Sequence, residues 1–142
     1  MIHVGLADDD ALVRQTLNDL LNDTEDIRAL WVARDGEEVL DILHSGDYPL
    51  VDVLLLDVQM PGLDGLVTTR RLVGAGSQGR IVILTTFDTD GYVLGSIEAG
   101  AAGFLLKNTP PKRLIEAVRT VHAGDSVISP GPTRRLLTAM RS

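Results

Sequence analysis

The 142-residue sequence predicts an α/β fold, a doubly wound parallel sheet with helices on both faces. Two observations carry that reading. Short apolar or β-rich runs recur along the chain, and each is followed by a segment whose apolar residues repeat at helical spacing. Strict β-α alternation with buried apolar strands demands right-handed crossovers, which set the strands parallel and cover both faces with helices.

The first strand is Ile2-His3-Val4-Gly5-Leu6-Ala7, too short for a helix and read as a buried strand. Val13, Leu17, Leu20 and Leu21 then follow the i, i+4, i+7, i+8 spacing of a helix face. Ile27-Arg28-Ala29-Leu30-Trp31-Val32 alternates apolar and polar residues, which suits a strand with one face partly wet and places it at a sheet edge. Residues 35 to 45 give a second helix, with Val39, Leu40 and Leu43 on one side. Val53-Leu54-Leu55-Leu56 is the most apolar strand, and residues 64 to 73 follow it as a helix. Ile81-Val82-Ile83-Leu84 is the fourth strand, with a helix over 90 to 99. Gly103-Phe104-Leu105-Leu106 is the fifth, and Leu114, Val118 and Val121 mark the face of the last helix. After Gly124 the turn-rich stretch Asp125 to Pro132 reads as a linker into an unfinished helix, so the expected division is a domain over 1–124 and a tail over 125–142.

Composition narrows the function classes. A chain of this length buries roughly 70% of its unfolded surface, enough for a core without covalent staples. It has no cysteine, which excludes disulfides and thiol catalysis. No window approaches the roughly 18 apolar residues of a membrane span, and the first residues lack a basic stretch followed by an apolar signal core, so a cytoplasmic protein is expected. The net charge of -7 is unevenly placed: residues 1 to 64 hold 15 acids and 3 bases, residues 65 to 142 hold 5 acids and 10 bases. An acidic first half argues against a nucleic-acid surface there and leaves cation binding open. Arg134, Arg135 and Arg141 read as a solvated helix face. Gly74-Ala75-Gly76-Ser77-Gln78-Gly79 is a literal G-x-G-x-x-G, but it follows a helix and precedes a strand, the reverse of a dinucleotide site, and reads as a loop.

In doubly wound sheets the crevice lies beyond the carboxyl ends of the strands. The residues there are Asp8, Asp9 and Asp10 after the first strand, Asp57 after the third, Thr85 and Thr86 after the fourth, and Lys107 after the fifth. Crowded carboxylates repel one another unless a cation or raised pKa relieves them, and oxygen-only ligands point to Mg²⁺. Mg²⁺ commonly joins carboxylates to a phosphate. With His3, His44 and His122 scattered elsewhere, an aspartate able to form an acyl phosphate is the candidate nucleophile, and Asp57 is best placed. Lys107 and Thr85 suit the charge and hydroxyl that offset phosphoryl oxygens. Each residue alone has a plainer reading: the Asp run as a helix N-cap, Asp57 as a turn former before Met60-Pro61-Gly62, Lys107 as a surface residue, Phe104 as core. The joint pattern selects the chemistry.

That pattern, Ala7-Asp8-Asp9-Asp10, Leu55 to Gly65 around Asp57, Ile83-Leu84-Thr85 and Gly100 to Lys107, resembles the receiver domain of bacterial two-component response regulators over about residues 2 to 123. The resemblance implies a flavodoxin-like, five-stranded sheet of order 2-1-3-4-5. It also implies that Asp57 accepts a phosphoryl group from a sensor histidine kinase, and that Asp8, Asp9, Asp57 and the backbone carbonyl of Gln59 hold Mg²⁺. Lys107 and Thr85 would bind the phosphoryl oxygens, and Thr85 and Phe104 would form a switch pair. Gln59 and Phe87 would tune the lifetime of the phosphorylated state.

The Thr85-Thr86-Phe87-Asp88 stretch and Ser129-Pro130 are similar to NarL/FixJ-type regulators, whose LuxR-type helix-turn-helix domain follows the receiver. A transcription-regulating switch that dimerises on phosphorylation and reaches DNA only through a C-terminal domain is therefore expected, and not a turnover enzyme. Two positions depart from that pattern: Asp10 where His is frequent, and Asn108 after Lys107 where Asp or Pro is usual. The rivals are a haloacid-dehalogenase-like phosphatase, which needs a second Asp two residues after the nucleophile where Gln59 stands, and a degenerate receiver regulated without phosphate.

Overall fold

A computed structural model describes residues 1–76, 79–86 and 90–128. The strands are β1 (Ile2–Ala7), β2 (Ile27–Ala33), β3 (Val53–Asp57), β4 (Arg80–Thr85), β5 (Gly103–Leu106) and β6 (Val127–Ile128). The helices are α1 (Ala11–Asn22), α2 (Gly36–Ser45), α3 (Gly65–Gly74), α4 (Asp90–Ala99) and α5 (Pro111–His122). The sheet order is β2-β1-β3-β4-β5-β6, every pair parallel, so the expected order 2-1-3-4-5 holds and β2 is indeed an edge strand.

Side-chain alternation along β3 explains the double winding. Val53 and Leu55 pack with α1 and α5 through Leu17, Leu21, Leu114, Val118 and Val121. Leu54 and Leu56 face the other way, into a second core with Val39 of α2 and Leu72 of α3. A strand buried on both faces reads as continuous hydrophobicity, which is why the sequence shows no period-2 pattern there.

The second core depends on one small residue. A Cβ added to Gly5 would lie 2.3 Å from the Trp31 ring, so glycine in β1 is what allows the indole to lie across the strand. The β1–β2 register shifts between Val4 and Gly5, the same place.

The sixth strand was not legible in the sequence, where residues from 125 onward read as linker. Val127 and Ile128 extend the sheet by pairing with Gly103 and Phe104. α5 ends just before it in a Schellman motif: Gly124, at φ 107, donates to the Val121 carbonyl at 3.0 Å and Asp125 to Thr120 at 3.1 Å. That reversal returns the chain to the sheet edge, and a two-residue strand has no periodicity to betray it. Residues 129–142 of the expected tail, Phe87, and Ser77 and Gln78 of the glycine-rich loop lie outside the described residues.

Candidate acidic site at the carboxyl edge of the sheet

The turn after β1 divides its three aspartates. Asp8 is 1% exposed; its amide donates to the Ala33 carbonyl of β2 at 3.1 Å, and its Oδ1 accepts from the Asp10 amide at 2.9 Å. Asp10 turns away to cap α1, its Oδ1 accepting from the amides of Leu12 at 2.8 Å and Val13 at 3.4 Å. Asp9 is solvent-exposed. The N-cap reading of the run is therefore correct for Asp10, while Asp8 and Asp9 face Asp57; the sequence-level gathering of all three into one crevice is corrected on this point.

Asp57 ends β3 and is 4% exposed. Its Oδ1 accepts from the Gln59 amide at 3.3 Å. The following loop is pinned where Val58 accepts from the Gly65 amide at 2.9 Å, and Asp64 caps α3 through the Val67 amide at 2.9 Å. A Cβ on Gly65 would sit 2.2 Å from the Asp57 carbonyl oxygen, so only glycine lets α3 start this close to the strand end.

Lys107 arrives from the far side of the sheet. Its amide donates to the Thr85 carbonyl at 2.8 Å, and its Nζ bridges Asp8 Oδ2 at 2.6 Å and Asp57 Oδ2 at 3.2 Å. Thr85 and Phe104 are both buried. Phe104 pairs with Ile83 and Leu106 with Thr85, which puts Phe104 and Thr85 on the same face of neighbouring strands, one diagonal step apart.

Burial, and then the nearby Asp8 charge, push the Asp57 carboxyl up to about 6, with Lys107 offsetting part of the cost. Burial alone would lower the Lys107 ammonium; the hydrogen bond to Asp8 and the charges of Asp57 and Asp8 outweigh it and raise it. Asp8, Asp9 and Asp57 each offer a carboxylate oxygen within 4.8 Å of the others, and an open cleft of about 470 Å³ lined by Asp9, Val58, Gln59, Met60, Pro61 and Asp64 leads to them. A hard cation fits this all-oxygen donor set.

The roles of two contributors escaped the sequence reading. Gly65 belongs to the motif around Asp57, but residue order alone does not show that α3 must start against the Asp57 carbonyl. Arg14 gave a signal: it is a cation in the first turn of α1, where the helix dipole disfavours positive charge, and its Nη1 donates to the Asp8 carbonyl at 2.7 Å.

A buried strand-end aspartate sharing a lysine with a second acid, on a parallel sheet of this order, defines a receiver domain. Residues 4–119 match the response regulator receiver domain, and the chain belongs to that family, in its NarL/LuxR type. It is 41% identical over 126 residues to the uncharacterized transcriptional regulatory protein YxjL of Bacillus subtilis (strain 168), covering 89% of this chain and 56% of that protein. It is 38% identical over 135 residues to the oxygen regulatory protein NreC of Staphylococcus carnosus (strain TM300), covering 94% of this chain and 61% of NreC. The chain thus spans somewhat over half the length of these relatives. The signal receiver domain of the response regulator NarL from Mycobacterium tuberculosis superposes with a TM-score of 0.81 at 28% identity, over 87% of this chain and 97% of that one.

Proposed function

We propose that this domain is a phosphorylation-dependent switch in which Asp57 is the phosphoacceptor. The observation that carries the reading is the shared Lys107 ammonium, within 3.2 Å of both Asp57 and Asp8, with Asp9 beside them. An Asp57 carboxylate oxygen attacks the phosphorus of a phosphohistidine on a sensor kinase. An O–P bond forms as the N–P bond breaks, and the imidazole leaves with its electron pair. Lys107, pre-placed at the carboxylate, offsets the charge spreading over the phosphoryl oxygens, and the Thr85 hydroxyl donates to one of them. Asp8, Asp9, Asp57 and the Gln59 carbonyl would hold Mg²⁺, which when bound neutralises phosphoryl charge.

The switch then runs through Thr85 and Phe104, whose common face couples the hydroxyl's position to the ring's packing; this is a population shift between two states. Its output is homodimerisation and control of transcription through a DNA-binding domain beyond this stretch, in the cytoplasm. The acyl phosphate is hydrolysed on the same chain, with no separate substrate turned over. Among the described residues no helix is long and apolar enough to cross a membrane. Acetyl phosphate with Mg²⁺ should add the mass of one phosphoryl group, lost in Asp57→Asn; an unmodified wild type overturns the reading.

A further inference from the structure

We infer that Arg14 is a positioning residue that clamps the acidic turn so that Asp8 and Asp9 present their carboxylates to the same cation as Asp57. The inference rests on the metal-site reading above and deepens it.

Four observations point this way. Arg14 stands in the first turn of α1, the end of a helix that disfavours cations, and directly after the three aspartates of the preceding turn. Its side chain folds back six residues along the sequence to donate to the Asp8 carbonyl at 2.7 Å. That carbonyl begins the Asp8–Asp9 peptide, so the bond fixes the plane from which the Asp9 side chain departs. The opposite side of the same residue is fixed by the Asp8 amide to Ala33 at 3.1 Å, while its Oδ1 and Oδ2 are taken by the Asp10 amide and by Lys107. Asp8 is therefore held at every polar atom, and Arg14 supplies the one restraint that comes from the helix following the turn.

Charge and geometry predict opposite effects, which makes the clamp testable. As a bare positive charge near the cation site, Arg14 would oppose Mg²⁺, and its removal would tighten binding. As a clamp, it preorganises two ligands, and its removal loosens binding. Mg²⁺ titration by calorimetry on wild type, Arg14→Met and Arg14→Lys separates the two, with metal-free melting curves recorded alongside.

The expected result is about tenfold weaker Mg²⁺ binding in Arg14→Met, the low end of what a lost outer partner costs. Arg14→Lys, whose ammonium can still donate to the carbonyl, recovers most of the loss, and both variants melt cooperatively without metal. Unchanged or tighter binding in Arg14→Met, equal loss in both variants, or unfolding of Arg14→Met in metal-free buffer overturns the clamp. Wild type is the control for the underlying reading: if it binds no Mg²⁺ at all, both ideas fall, whereas binding by wild type and Arg14→Met alike sinks the clamp alone.

Discussion

Two acid–base clusters sit at opposite ends of the sheet and behave in opposite ways. At the carboxyl edge Lys107 is shared by Asp8 and Asp57, all largely out of water. At the amino end Arg119 of α5 grips Asp26 before β2 through Nε at 2.8 Å and Nη2 at 2.9 Å, and also pairs with Glu116, all in solvent. The hydrogen bonds from Arg119 hold the Asp26 carboxyl below its ordinary range, whereas burial holds Asp57 above it. Both clusters set two acids against one cation, but only at the carboxyl edge are the acids out of water. Burial, and not the count of charges, is what sets the two carboxylates apart.

The largest effect should follow from removing the shared cation. Lys107→Met leaves two buried carboxylates without their partner, a change that costs about 3–5 kcal/mol in buried pairs. Denaturant melts at pH 7.5 should show it, and the loss should shrink toward pH 5 as Asp57 takes up a proton. A loss independent of pH would mean the lysine serves packing alone.

Gly65→Ala comes next, because its Cβ would collide with the Asp57 carbonyl; overpacking of this kind costs about 1–3 kcal/mol. It should lower stability and acetyl phosphate labelling together, whereas an alanine at exposed Gly74, which meets nothing within 4 Å, should lower neither.

Asp57→Asn should have the reverse sign. A carboxyl whose folded pKa is raised from 3.8 to about 6 contributes stability that is complete below pH 3.8 and lost as pH rises through 6. Above that range the ionised group burdens the fold, so the amide variant should be more stable at pH 8, by on the order of 2 kcal/mol, and the gap should close near pH 4. Mg²⁺ should also narrow it, by stabilising wild type.

The smallest effect belongs to the exposed pair: Asp26→Asn should shift the melting temperature slightly at low salt and not at all at high salt. A larger loss there than at Lys107 would invert the comparison.

Much of this was legible because it follows from period and position. Val53 to Leu56 announced a doubly buried strand, and Asp57 and Lys107 were found because strand ends line the crevice. What escaped depends on contacts between residues distant in space. The division of Asp8 and Asp9 from Asp10 is set by which amides each carboxylate meets; the Gly5–Trp31 and Gly65–Asp57 approaches exist only once strands and helices pack. The two residues of β6 carry no pattern at all, and Arg14 showed only as a charge on the wrong end of a helix.

The most direct test of the central claim, that the carboxyl edge holds a carboxylate displaced by burial while the amino end holds a relaxed one, is a side-chain carboxyl titration by NMR in metal-free buffer. Asp57 is expected to titrate near 6 and Asp26 below the ordinary carboxylate range in the same sample. Ordinary titration of Asp57, alongside Asp26 or below it, would mean that burial does not displace the carboxylate at the carboxyl edge.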